Sequence, residues 1–212
     1  MNDHVLKRGL SNVYVAKLIS DTEEKLEYGT PIHLMPAGEM SRTTENEKTN
    51  VYFDNVVFYQ SGSEGATEIS VTGAALRATF EADILGKYVD PETGAVLDTG
   101  EYVENYYAMC GETDNTDGTH EYFWMLKGTF AIPEHEDKTV DDSTDTNGQT
   151  MVFSAIQTQH KFNVNGELKP MKRVVIDTGT SEILADQKWT AQVVTPENLA
   201  TIVQKKTTTT GG

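Results

Sequence analysis

The chain of 212 residues carries 33 acidic and 17 basic residues, which gives a formal net charge of −16. This length suits one domain, and a chain of this size buries about 70% of its unfolded surface. The acidic excess argues against a protein that holds DNA or RNA by its phosphates, because such binding needs a basic patch that displaces counterions.

A single cysteine, Cys110, excludes an intrachain disulfide bond. A reducing cytoplasm is therefore the expected place of folding. The first ten residues lack the apolar region of a signal peptide, and no run of 18 apolar residues occurs. We expect a soluble subunit that does not insert into a membrane.

Most of the chain is predicted to form β-strands, since apolar and polar residues alternate or β-branched and aromatic residues cluster. The predicted strands cover 12–19, 51–60, 66–72, 101–110, 120–132, 150–162 and 188–194. A polar loop between the fourth and fifth of these predicts a long hairpin. The segment 90–94 has the composition of a turn.

Two helices interrupt the strands. Leu76, Phe80 and Ile84 form an apolar stripe within the segment 75–85, and Gly86 follows as a helix cap. The segment 196–204 is predicted to be a short helix. One helix packed on a mostly antiparallel β body is the expected architecture, with 195–212 as a C-terminal helix and polar tail.

The segment 38–49 is polar on both faces of a period-2 pattern, so a strand there has no apolar face to bury. Two interpretations stay open. It is a solvated loop, which then spans about 36–50, or a strand that is wetted on one face and pairs with a neighbouring subunit.

The segment 134–149 is predicted to be a long loop, with six acidic residues and one lysine, Lys138. A metal site, a solvated loop and a surface for another copy of the chain are the possible roles. A calcium loop needs a bidentate glutamate at its twelfth position. Ser154 occupies that position here, and Trp124 occupies it for the acidic turn at 113–118. We therefore expect no calcium site.

No motif for catalysis or zinc binding occurs. His120, His135 and His160 are too far apart in sequence to be zinc ligands by spacing, and Cys110 has no CxxC partner. The chain has no Gly-x-Ser-x-Gly motif and no Gly-rich phosphate loop. We expect no enzyme, no metal and no cofactor.

Aromatic residues cluster in the predicted hairpin. They are typical either of sheet packing or of a carbohydrate platform, and sheet packing is the preferred interpretation. The residues are Tyr102, Tyr106, Tyr107, Tyr122, Phe123 and Trp124.

Several phrases follow one another in a recognisable order between Lys7 and Lys161. The segment 7–19 opens with a Gly-Leu-x-Asn-Val phrase, and an aromatic strand at 53–60 precedes an acidic-glycine turn at Glu64. A helix ending Asp-x-Leu-Gly then leads to the turn at 90–94 and to a hairpin that ends at Pro133. In this order the phrases resemble the major tail proteins, or tail tube proteins, of long-tailed (siphovirus-type) bacteriophages.

The resemblance implies a fold related to type VI secretion tube proteins. That fold is an antiparallel β-sandwich or partly closed barrel with a flanking helix, here formed by residues 1–194. It implies hexameric rings that stack into a tube, in the virion tail, after assembly in the cytoplasm of the host bacterium. The resemblance also implies that viral DNA passes through the tube without specific binding. Other copies of the chain and the tape measure, tail tip and tail terminator proteins are the implied partners.

Polar and acidic residues are the candidates for the subunit interface or the lumen, because a lumen strand tolerates polar residues and an acidic lining does not retain DNA. They are Glu39, Arg42, Thr44, Glu45, Glu47, Lys48, Glu134, Glu136, Asp137, Asp141, Asp142 and Asp145. The alternative function is a carbohydrate- or receptor-binding β-sandwich, as in a virion decoration or an adhesin.

Overall fold

The computed structural model describes residues 4–135, 148–184 and 187–206. This part of the chain is mainly β, with antiparallel sheets, two short helices and no closed barrel, which confirms the predicted fold class. The strands are β1 Lys7–Asp21, β2 Leu26–Tyr28, β3 Ile32–His33, β4 Ala37–Phe53, β5 Val56–Ala74, β6 Tyr88–Val89, β7 Val96–Leu97, β8 Tyr107–Asn115, β9 His120–Phe130, β10 Gly148–Ile156, β11 Lys161–Val164, β12 Glu167–Pro170, β13 Arg173–Asp177, β14 Ser181–Ile183 and β15 Val203–Lys205, and the helices are α1 Ala78–Leu85 and α2 Leu199–Ile202.

One large antiparallel sheet organises the fold. Its strands run in the order β2-β1-β8-β9-β10-β5-β4, and β3 and β13 add to β1 and β9. The sheet curls until β4 lies beside β1, but these two strands do not pair, so the barrel stays partly closed. Three two-stranded sheets, β6–β7, β11–β12 and β14–β15, lie outside the large sheet.

The central strands β8 and β9 are buried on both faces. Met109 and Met125 point into a first core inside the curled sheet, which Phe80 of α1 also contacts. Cys110 and Trp124 point into a second core on the opposite face, below the segment 189–203. This explains why β8 and β9 contain continuous apolar runs, which are typical of strands buried on both sides.

A buried ion pair holds three parts of the chain together. The Nζ of Lys127 in β9 donates to Oδ2 of Asp21 at the end of β1, at 2.7 Å. The backbone N–H groups of Gln159 and His160 donate to the same carboxylate at 2.9 Å. Burial raises the pKa of Asp21, but these hydrogen bonds and the Lys127 charge outweigh it, so the pKa is lowered overall.

The structure corrects the predicted loop at 36–50, which lies mostly in β4. This segment needs no apolar face, because β5 supplies its backbone partners and most of its side chains lie in water. The other predicted loop, 134–149, lies outside the described residues except at its ends. Gly148 and Gln149 at its C-terminal end already belong to β10.

Other element boundaries also differ from the prediction. The predicted strand 51–60 is two strands, since a turn at Asp54 and Asn55 divides it. Helix α1 begins at Ala78, because Arg77 before it is extended. Helix α2 spans only Leu199–Ile202, because the chain then extends to pair with β14.

The predicted strand at 188–194 is not a strand. The indole N–H of Trp189 donates to the backbone oxygen of Phe123 at 3.3 Å, and that of Trp124 donates to the backbone oxygen of Trp189 at 3.0 Å. The segment therefore lies across the face of the sheet, and its apolar residues are buried without joining a strand ladder.

Phe153→Ala is expected to lower the free energy of unfolding by about 3–5 kcal/mol, because Phe153 is fully buried in the first core and its loss leaves a cavity. Phe58→Ala is the matched control, with a side chain that is 76% exposed. It should change the free energy of unfolding of the monomer by less than about 1 kcal/mol. Urea denaturation followed by circular dichroism measures the free energy of unfolding of both variants. Equal losses in the two variants would contradict the placement of Phe153 in the first core.

Asp21→Asn is expected to lower the free energy of unfolding at pH 7 by about 3 kcal/mol, because it leaves the Lys127 ammonium buried without its partner. The lowered pKa of Asp21 stabilises the fold above the unfolded value of about 3.9. That contribution disappears as the pH falls through the folded pKa, so the variant and the wild type should converge in acid.

Asp98→Asn is the matched control for this pair, since Asp98 contacts Lys87 at 2.8 Å on the surface. Exposed pairs contribute less than about 1 kcal/mol. Urea denaturation at pH 7 and at pH 3 measures both variants. If Asp21→Asn lowers the free energy of unfolding at pH 7 no more than Asp98→Asn does, the buried Asp21–Lys127 pair does not stabilise the fold.

Candidate assembly interface

The β4–β5 hairpin projects from the body of the protein. Residues 67–74 of β5 pair with β10 on one side and with β4 on the other. Beyond that point, in the described part of the chain, β5 pairs with β4 alone, and every residue from 43 to 65 is exposed. We call residues 45–65 the arm. At about 3.3 Å per residue, its strands reach about 30 Å from the body.

A two-residue turn closes the arm. Asp54 and Asn55 have φ angles of 48° and 61°, and Phe53 pairs with Val56 across them. Two consecutive positive φ angles are the signature of a type I′ turn, whose twist matches that of the strands. Asn and Asp are among the few residues that adopt this conformation readily.

The end of the arm is apolar on both faces. Phe53 and Phe58 contact each other edge to face, with ring centroids 5.2 Å apart. The pairing places Phe53 and Val56 on one face, and Tyr52 and Val57 on the other. The exposed apolar residues of this end, which we call the arm tip, are Val51, Tyr52, Phe53, Val56, Val57, Phe58 and Tyr59.

The arm tip has the properties of a binding surface. A two-stranded hairpin without further packing is at best marginally stable in water. A contiguous exposed apolar patch on a soluble protein usually marks a contact with a partner. The described body of this chain provides no such packing for either face of the tip.

The base of the arm is held in a defined direction. Lys172 forms an ion pair with Glu64 and donates to the backbone oxygen of Gly65 at 3.0 Å. The hydrogen bond from Lys172 lowers the pKa of Glu64. The hydroxyl groups of Thr44 and Thr67 are also 2.9 Å apart across the strands. These contacts fix where the arm leaves the sheet.

Five of the predicted interface residues are exposed on β4, and these are Glu39, Thr44, Glu45, Glu47 and Lys48. Arg42 differs from them. Its Nη2 donates to Oε1 of Glu121 at 2.8 Å, and its guanidinium lies 4.6 Å from the centre of the Phe123 ring. Arg42 thus joins β4 to β9 within the chain.

Glu134, after β9, is exposed. The other acidic candidates of the 134–149 segment, Glu136, Asp137, Asp141, Asp142 and Asp145, lie outside the described residues. The arm tip was not predicted from the sequence, because residues 51–60 have the composition of one strand throughout. The signal that reveals the hairpin is the Asp54-Asn55 pair between two β-like runs.

Aromatic residues of the β8–β9 hairpin do not form a common platform. Tyr107, Phe123 and Trp124 are buried, in both cores, which confirms the packing interpretation for them. Tyr102 is 65% exposed, so the same interpretation is wrong for Tyr102. It precedes β8 in a segment without regular structure, which leaves its ring outside the sheet.

No helix in the described ranges is both long and apolar enough to cross a membrane. Neither a protein-family model nor a curated protein matches the chain.

Lys172→Met is expected to speed amide hydrogen exchange in residues 56–66 several-fold, because it removes the ion pair and the hydrogen bond at the base of the arm. Hydrogen exchange with mass spectrometry measures the rate. Lys169→Met removes an exposed pair with Glu167 elsewhere and serves as the control. If both variants leave exchange in the arm unchanged, Lys172 does not brace it.

Proposed function

We propose that this protein is a structural subunit of the tail tube of a long-tailed bacteriophage. Copies of the chain assemble into hexameric rings, and the rings stack into the conduit through which viral DNA enters the host. The observation that carries the proposal is the arm, whose apolar tip extends far from the cores of its own chain.

A second copy of the chain is the partner that suits the arm best. An arm tip that is apolar on both faces gains most by insertion between surfaces, and neighbouring copies in a polymer provide two such surfaces. A second exposed apolar area surrounds the β6–β7 hairpin, with Tyr88 and Leu97 more than half exposed. Two different surfaces that meet head to tail generate rings or open polymers.

Charge also supports a conduit for DNA. The arm contains four acidic residues, Glu45, Glu47, Asp54 and Glu64, and one basic residue, Lys48. The whole chain has a net charge of −16. A tube built from such subunits repels phosphate groups, so DNA moves through it without being held.

The proposal includes a location and partners. The subunit is made in the cytoplasm of the host bacterium and becomes part of the virion tail. Within the tail its neighbours are other copies, the tape measure protein around which the tube forms, and the tail tip and tail terminator proteins at its ends. It performs no chemical reaction.

Val56→Ser combined with Phe58→Ser is expected to abolish assembly, because the two substitutions remove apolar side chains from one face of the arm tip. Negative-stain electron microscopy and sedimentation velocity of the concentrated protein measure the result. The wild type should form hollow tubes or rings of uniform diameter. Leu168→Ser, at a side chain that is 68% exposed on β12, is the control and should assemble like the wild type.

The double variant is expected to keep its fold, since both residues lie outside the two cores. A wild-type chain that stays monomeric at every concentration, with calcium and without it, would contradict self-assembly. A thermal midpoint that falls on calcium chelation would favour the carbohydrate- or receptor-binding module instead. Tubes formed equally well by the double variant would remove the arm tip from the interface.

A further inference from the structure

Three potential metal ligands meet at the end of the β8–β9 hairpin. Nδ1 of His120 is 3.0 Å from Oε1 of Glu112 and 2.8 Å from Oδ1 of Asp114. All three donor atoms lie within 4.8 Å of one another. Asp114 pairs directly with His120 across the two strands, and Glu112 lies two residues before Asp114, so the three side chains share one face.

Hydrogen bonding alone does not explain this arrangement well. Nδ1 of an imidazole carries at most one proton, and two carboxylate oxygens from different residues approach that single nitrogen. A metal ion accepts lone pairs from all three atoms. Ligands about 2.0–2.2 Å from a tetrahedral zinc ion are about 3.4 Å apart. The two distances to His120, 3.0 and 2.8 Å, are somewhat shorter than that separation, so an ion would draw the three donor atoms slightly apart.

A neighbouring amide holds the Glu112 carboxylate in place. Nδ2 of Asn12 donates to Oε2 of Glu112, which leaves Oε1 directed at His120. Asn12 has a φ of 53° at an irregularity in the β1–β8 pairing, so the backbone adopts an unusual conformation where this amide is presented. Such outer hydrogen bonds orient the ligands of metal sites.

Space for the Asp114 carboxylate depends on a glycine. Gly9 of β1 pairs with Asp114, and a Cβ at Gly9 would lie 2.7 Å from Oδ2 of Asp114. Any side chain at position 9 therefore displaces this carboxylate. Both strands that flank β8 thus contribute to the cluster. Strand β9 supplies the ligand His120. In β1, Gly9 leaves space for the Asp114 carboxylate, and the amide of Asn12 holds the Glu112 carboxylate.

We propose that Glu112, Asp114 and His120 bind a divalent transition metal ion, with Zn²⁺ as the best fit. One imidazole nitrogen and two carboxylate oxygens suit zinc, whereas calcium and magnesium prefer oxygen ligands alone. The Glu112 side chain is 10% exposed, but Asp114 and His120 are 35% and 39% exposed, so an ion reaches the site from solvent. The ion cross-links β8 and β9, and water completes its coordination. The site is independent of the proposed assembly.

Spacing along the sequence did not reveal this site. His120, His135 and His160 are far apart in the sequence, so their spacing indicates no zinc site. The structure instead places His120 beside two carboxylates that reach it through strand pairing.

Titration of the full-length chain with Zn²⁺ in a calorimeter tests the proposal. The wild type should bind one zinc ion that Asp114→Asn and His120→Gln each weaken at least tenfold. The control is His135→Gln, since His135 contacts the carboxylate of Glu81 at 3.0 Å and lies outside the Glu112–Asp114–His120 cluster. This variant should bind zinc like the wild type. Saturating zinc should raise the thermal midpoint of the wild type by roughly 5 °C and leave that of Asp114→Asn unchanged.

Asp114→Asn preserves size and shape at a partly exposed position, so this variant is expected to fold, and circular dichroism checks it. Cobalt provides a second readout, since its visible spectrum reports coordination by the protein. The proposal is overturned if the wild type binds no zinc, if Asp114→Asn binds zinc with unchanged affinity, or if equimolar magnesium or calcium displaces it.

Discussion

Burial of β8 and β9 on both faces is the constraint on which the structure depends. β9 pairs with β8 along one edge and with β13 and β10 along the other, and its side chains enter both cores. Strand β9 therefore connects the curled sheet to the segment 189–203, which covers Trp124 in the second core. The Asp21–Lys127 pair adds a fixed polar contact to β9, and the Glu112–Asp114–His120 cluster forms where β9 begins.

The arm contrasts with β8 and β9, because neither of its faces is buried. Its two strands pair only along their facing edges, and in the described part of the chain nothing covers their outer edges or their apolar side chains. A chain that buries methionine and phenylalanine so completely in two cores still leaves the aromatic residues of the arm tip in water. This contrast, and not the polarity of β4 alone, is the basis of the proposed assembly.

Sequence patterns predicted the central hairpin, the first helix and the mainly β class, because periodicity reports burial directly. They failed at 51–60, where a type I′ turn of two residues interrupts strands of similar composition. They failed at 188–194, where Trp189 is buried against the sheet face without strand pairing. They also missed the cluster at His120, since strand register brings residues together that spacing keeps apart.

The attachment of the arm determines how the molecule would respond to force. β5 is one continuous strand from the turn at the arm tip to its end at Ala74, and residues 67–74 pair with β10 inside the body. The hydrogen bonds of antiparallel strands are perpendicular to the strand axis. A pull along the arm therefore loads all of these bonds in shear at the same moment. They do not open one after another, so the attachment of the arm to the body resists a pull along its length.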